Sequence, residues 1–103
     1  MARFDIYRHP AVDERGLIPY VLDVQNSFIS AGSRVVIPLL VANRLSHKVR
    51  DLNPEFVVNG ENVVLHTSAI GAIDESVLRS PVGNLSAQQA DIQQALDTLF
   101  GGY

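Results

Sequence analysis

Apolar and polar residues alternate through the first three quarters of the chain and then change to helical spacing near its end. Phe4 and Ile6 alternate with polar neighbours, and Ile18, Tyr20, Leu22 and Val24 do so around Asp23. This is the period-2 pattern of strands with one buried face. Arg15-Gly16 between the two runs predicts a turn. In residues 55–65, Asn59-Gly60 separates two apolar runs and predicts a tight hairpin, because both residues tolerate positive φ. Phe56, Val58, Val63 and Leu65 fall on one face whatever the loop length.

Residues 34–40 depart from alternation. Val35, Ile37 and Leu39 on one face are matched by Val36, Pro38 and Leu40 on the other, so both faces require cover. Pro38 cannot donate to a ladder, which predicts an edge or bulged position. An apolar edge needs either a partner subunit or a helix of the same chain over it. Ser68-Ala-Ile-Gly-Ala-Ile73 fits two readings: a small-residue patch where two subunits approach, or a turn carrying two core isoleucines. Residues 41–53 mix helical and irregular signals, and no element is predicted there.

From Leu85 the period changes. Ser86 with Gln89 has the form of a capping box, and Leu85 stands at the staple position. Ile92, Ala95, Leu96, Leu99 and Phe100 then recur on one side, and Gly101 supplies the left-handed stop. The pattern predicts a helix of about fourteen residues, with Phe100 giving part of its ring to the core.

A chain of 103 residues is long enough for one hydrophobic core, so residues 1–103 are taken as a single domain. It has no cysteine, which removes disulfides and thiolate metal sites. The start, Met1-Ala2-Arg3-Phe4-Asp5-Ile6, has no apolar export region, and no run approaches the ~20 residues of a membrane span; a cytoplasmic location is expected. Net charge is −3, and the eight Lys and Arg residues are scattered along the chain, which argues against direct binding to nucleic acid.

Catalytic and metal chemistry find no pattern. His9, His47 and His66 are far apart in sequence and lack a neighbouring ligand at metal-site spacing; no metal or cofactor is expected. No serine has a nucleophile signature, no glycine pattern cradles a phosphate, and Asp74-Glu75 reads as a solvated turn. The unusual features lie at the helix end. Asp97 puts an acid in the last turn, where a helix favours cations, and Gly101-Gly102-Tyr103 is hard to explain as packing. Residues 86–103 are therefore the expected contact surface of a binding protein.

These residues also carry a family resemblance. Phe4-Asp-Ile-Tyr7, Tyr20-Val-Leu-Asp-Val-Gln25, Arg34-Val-Val-Ile-Pro-Leu39, Pro54 before the hairpin, Asn84-Leu-Ser86, and Asp91-Ile92 with Ala95-Leu96 and Leu99-Phe100 resemble, in order and spacing, the CcdB family of toxins. The resemblance implies a mainly β fold, an SH3-like β-barrel with a C-terminal helix, in a homodimer without enzymatic activity. It implies the toxin component of a toxin–antitoxin system that serves plasmid maintenance as a DNA gyrase inhibitor. Such a toxin binds the gyrase A subunit, traps DNA in its cleaved state, and is neutralised by a CcdA-like antitoxin.

Carried onto this chain, the gyrase-binding residues are Gly101, Gly102 and Tyr103. The family's tail is typically Trp-Gly-Ile, so Gly102 alone matches. The antitoxin-binding residues are Asn26, Phe28, Ile29, Asp97 and Phe100; Phe28 and Ile29 are either exposed anchors or tucked under the barrel. The dimer interface is placed at Ala69, Ile70, Gly71, Ala72 and Leu99. Two alternatives remain: a degenerate homologue that binds antitoxin without poisoning gyrase, and an endoribonuclease of the related MazF and Kid toxins, which would need a more basic surface.

Overall fold

The Asn59-Gly60 pair forms the turn its sequence predicts. In the computed structural model, which describes residues 1–102, Asn59 and Gly60 have φ of 51° and 79°, joining β4 (Glu55–Val58) directly to β5 (Glu61–Leu65). Positive φ at both central residues gives the twist that antiparallel strands need. Phe56, Val58, Val63 and Leu65 are all buried in one core, as the alternation required.

Five further strands complete an antiparallel sheet: β1 (Asp5–Arg8), β2 (Tyr20–Asp23), β3 (Ser33–Val41), β6 (Gly71–Asp74) and β7 (Gly83–Asn84). Their order is β4-β5-β3-β2-β1-β7, with β6 also paired to β3. The sheet curls into a nearly closed, barrel-like shape. Phe4, Ile6, Tyr20, Leu22, Val24, Ile37 and Leu39 line its interior beside the hairpin residues. The predicted turn at Arg15-Gly16 is present, following a 3-10 turn at Val12–Glu14.

β3 is a central strand, which corrects the expected edge position of Pro38. Pro38 faces Val21 of β2 on one side. On the other side β3 pairs with β6 up to Val36 and with β5 from Leu39, so Pro38 falls where the neighbour changes. Its carbonyl accepts from His66 N–H at 3.0 Å, and neither β5 nor β6 has a register partner for Pro38. A proline is tolerated there because the ladder has no acceptor to satisfy.

The second face of the sheet is covered by the chain itself. Tyr7, Val21, Val36 and Leu78 form a second buried cluster, with half-buried Ile73 against it. Leu40 and Val64, paired across β3 and β5, are buried on the same side. Residues 42–53 begin with a 3-10 turn at Ala42–Arg44, and Leu45, Val49, Leu52 and Asn53 of this segment line a cavity together with Leu40. Buried Asn53 pins this segment: its Nδ2 donates to Leu65 O at 2.9 Å and its Oδ1 accepts from Val49 N at 2.8 Å. Thr67 Oγ1 donates to Leu52 O beside it. A polar loop docked by two buried side chains leaves little helical or strand periodicity to read.

Tyr7 is the most confined group of the second cluster, at 1 % exposure. Burial, then the nearby charges of Asp5 and Asp23, push its phenol pKa from 10.0 up to about 12. An unfolded chain releases that proton near 10.0 while the folded chain keeps it, so stability is constant below pH 10 and falls as pH rises toward 12. At 1.36 kcal/mol per unit the loss reaches about 2–3 kcal/mol. Urea unfolding of the wild type and Tyr7→Phe between pH 9 and about 11.5 should show a steeper alkaline decline in the wild type; parallel curves would refute it.

The C-terminal helix α1 (Gln89–Phe100) puts Ile92 and Ala95 into the main core, with Leu96 packed partly against it. Its entry differs from the predicted capping box. A 3-10 turn, Ser86–Gln88, precedes it, and Asn84 Oδ1 accepts from Ser86 N at 2.7 Å, so Asn84 and not Ser86 supplies the local side-chain acceptor. Gly101 ends the helix at φ 69°, the left-handed conformation glycine takes without a steric cost.

Candidate partner-binding surface

The segment between β2 and β3 is anchored at its base and apolar at its tip. Asp23 and Arg34, both buried, form a two-pronged ion pair: Nε donates to Oδ2 at 2.7 Å and Nη2 to Oδ1 at 3.0 Å. The remaining guanidinium donors hold the loop, Nη1 on Ile29 O at 3.0 Å and Nη2 on Gln25 O at 3.2 Å. The hydrogen bonds to Asp23 draw the Arg34 pKa still higher, and among the described residues no buried side-chain nitrogen or oxygen lacks a hydrogen-bond partner. The alternation that reads Asp23 as a solvent-facing residue is thus corrected: the strand is buried on both faces, and Asp23 is 0 % exposed.

Gln25 adds a second brace. Its Oε1 accepts from Val35 N at 2.9 Å and its Nε2 donates to Ile29 O at 3.2 Å. Asn26 turns the chain, its Oδ1 accepting from Phe28 N at 2.9 Å and its carbonyl from Ile29 N at 3.1 Å. The result is that Phe28 is 96 % exposed and Ile29 51 % exposed on a loop whose backbone is held from beneath. Of the two placements open for these residues, the exposed one is found. Water contact over nearly the whole Phe28 ring withholds about 1.5–3 kcal/mol of burial energy that a partner can recover.

Arg3 connects this loop to the helix. Its backbone N–H donates to Ser27 Oγ at 2.9 Å and its Nε to Val24 O at 3.1 Å, while Nη2 reaches Gln93 Oε1 at 3.4 Å. Gln93 Nε2 in turn donates to Asp97 Oδ1 at 3.1 Å, one helical turn further on. Asn26, Phe28 and Ile29 are thereby tied through Ser27, Arg3 and Gln93 to Asp97, and Phe100 follows within the same last turn. Phe100 is 70 % exposed, so the expectation that part of its ring enters the core is corrected: Ile92, Ala95 and Leu96 fill that role.

Phe4 explains how Arg3 is aimed. It is a bulky residue at φ 73°, a strained conformation that costs on the order of 1–3 kcal/mol. The surroundings fix it: Phe4 N donates to Asp23 O at 2.6 Å, its carbonyl accepts from Leu85 N at 2.9 Å, and its ring is buried with the Arg3 guanidinium 4.6 Å above it. Arg3 and Gln93 were missed from sequence because each acts across a large chain separation and neither belongs to a spacing pattern. Arg3→Ala should leave thermal stability within about 1 kcal/mol, since its bonds are largely exposed. Ser27→Ala, which removes the acceptor of the Arg3 backbone N–H, should raise amide exchange of residues 26–29 several-fold; unchanged exchange would show that link to be idle.

The small-residue run spans two environments. Ala69, Gly71 and Ala72 are exposed, while Ile70 is half-buried against the main core and Ile73 against the second cluster. β6 pairs with β3 alone, so its other edge is open among the described residues. Helix α1 approaches the 3-10 turn Thr67–Ala69, which puts the helix carrying half-buried Leu99 beside this run. Gly102 N donates to Asp97 O at 2.8 Å, folding the tail back on the last turn. Tyr103, the third expected gyrase-binding residue, lies outside the described residues.

Among the described residues no three His, Asp, Glu or Cys side chains gather where a metal could be held, and no helix is long and apolar enough to cross a membrane. Asp74 caps the 3-10 turn Glu75–Val77 through Ser76, which lowers its carboxyl pKa, so the Asp74-Glu75 pair serves a turn as expected.

A mainly β, nearly closed barrel-like sheet with a C-terminal helix is consistent with the fold of the small CcdB-type toxins. The model of the CcdB protein family matches residues 3–102 of the 103, and the chain belongs to that family. Members of the family are gyrase poisons rather than enzymes.

Proposed function

We propose that this toxin binds the DNA gyrase A subunit and traps the DNA-cleaved complex, and that a CcdA-like antitoxin neutralises it by occupying an overlapping surface. Asn26, Phe28, Ile29, Asp97 and Phe100 form the antitoxin-binding surface, and Gly101, Gly102 and Tyr103 extend it toward gyrase. The chain acts without catalysis, as a homodimer joined through Ala69, Ile70, Gly71, Ala72 and Leu99. The observation that carries the reading is Phe28, 96 % exposed on a loop braced by a buried ion pair and tethered to the helix. A ring held in water on a fixed backbone is pre-organised for a partner, which lowers the ordering cost of binding.

One observation favours a second reading, a homologue that binds antitoxin without poisoning gyrase. Gly101 occupies the left-handed cap where the family's tail typically has Trp, so the stacking ring is absent at that position. An RNA-cleaving toxin is the third possibility. Induced expression in a gyrase-sensitive host separates them: linear DNA released after denaturing the enzyme supports poisoning, and RNA fragments instead would overturn it. Growth without either product, together with antitoxin binding in vitro, would establish the second reading.

A further inference from the structure

The arginines that look scattered in sequence converge at one place. Arg8 at the end of β1, Arg15 after the first 3-10 turn and Arg79 after Leu78 line one cleft of about 400 Å³ that contains no residue of the partner-binding loop or of the helix end. The chain carries a net charge of −3, yet three of its eight cationic residues meet here. Among the described residues, the two ion pairs are Arg34 with Asp23 and Lys48 with Glu55, so none of the three is neutralised by a carboxylate. Asp13, Glu14 and Glu75 are near in sequence, but none of them lines the cleft.

Arg15 is positioned by its backbone contact: Nε donates to His9 O at 2.8 Å, which fixes the guanidinium while leaving its terminal nitrogens available. Three like charges in one cleft repel one another unless an anion enters between them. Guanidinium forks fit phosphate oxygens two at a time, and the three arginines border a single open cleft rather than an extended stripe. The cleft is also within the usual size range of small-ligand pockets. Val12 at 70 % exposure and Val77 at 43 % give it an apolar wall suited to a flat ring.

We propose that this cleft binds a compact polyphosphate ligand of the nucleoside di- or triphosphate class, with Arg8, Arg15 and Arg79 on the phosphates and Val12 and Val77 against the base. Ser76 lines this cleft and also the cavity beside Ser27 and Ile29, so an occupant would adjoin the wall of the partner-binding loop. The site is independent of whether the partner is gyrase.

Calorimetric titration of the full chain at low ionic strength tests it, with ATP, inorganic triphosphate, a single-stranded oligonucleotide and polyglutamate as separate probes. ATP and triphosphate should bind the wild type, and Arg8→Ala with Arg79→Ala should weaken both by about tenfold per arginine. Val12→Asn should weaken ATP and spare triphosphate. Arg8 and Arg79 are exposed, so the variant should melt as the wild type does, and the melt is run alongside. Absence of ATP and triphosphate binding, or affinity unchanged by the double substitution, overturns the site. Oligonucleotide or polyglutamate binding more tightly than ATP, with the same arginine dependence, overturns the ligand class.

Discussion

Asp23→Ala should destabilise the fold by about 3–5 kcal/mol, the usual effect of removing one partner from a buried ion pair. Arg34, whose side chain is 3 % exposed, would keep its charge with no carboxylate beside it. Gln25 N would also lose its 3.0 Å bond to Asp23 Oδ1. For a domain of this size, whose total stability is about 5–15 kcal/mol, the midpoint of thermal unfolding should fall by roughly 15–25 °C.

Combining Asp23→Ala with Arg34→Met separates the two roles of the pair. An apolar replacement of both partners removes the unpaired charge, so much of the lost stability should return. The Arg34 bonds to Ile29 O and Gln25 O do not return, so the loop should stay loose and partner affinity should remain low. If the double variant recovers stability and full affinity together, the pair is a packing device without influence on the loop. Asp23→Ala melting within 1 kcal/mol of the wild type would remove the basis for both statements.

The second large effect falls on binding. Phe28→Ala should lower affinity for the antitoxin by about 2–4 kcal/mol, or roughly 30- to 1000-fold, the range of an aromatic anchor at the centre of an interface. Because the ring is 96 % exposed, the same substitution should change the unfolding free energy by less than about 0.5 kcal/mol. Phe100→Ala, at 70 % exposure, should behave alike with a smaller loss. Antitoxin titrations with both variants check this. Equal affinity for Phe28→Ala and the wild type would place the interface elsewhere.

The parts of the fold that are local in their physics could be read from the chain. The hairpin follows from Asn59-Gly60, and the helix from the spacing of Ile92, Ala95 and Leu96 with Gly101 as its stop. The paired apolar faces of residues 34–40 correctly demanded cover, but the cover is residues 42–53 and the segment around Leu78. A strand that changes neighbours beside a proline has the same local sequence as an edge strand, because pairing is decided by distant residues. Asp23 was misread for a related reason: alternation reports polarity, and an acid buried against Arg34 is as polar as one in water.

The candidate surface was legible in a different degree. Phe28 and Ile29 were reached through the family resemblance, which implies an antitoxin surface at the loop after β2; as two large apolar residues among Asn, Ser and Gly they then became candidate anchors. Asp97 stood out against the helix dipole, and the partner it has is Gln93 four residues back. The tether that brings loop and helix together runs through Arg3, which no spacing rule connects to Gln93, 90 positions later. The arginine cleft likewise exists only after folding, because Arg79 reaches Arg8 and Arg15 by way of the sheet.

Binding of the purified protein to an isolated gyrase A subunit, with and without saturating antitoxin, is the most direct measurement of what this surface does. The wild type should bind, antitoxin should displace it competitively, and Phe28→Ala should weaken the antitoxin's displacement of gyrase while the fold stays intact. A toxin that holds gyrase and antitoxin simultaneously at full affinity would contradict overlapping surfaces at this loop and helix end.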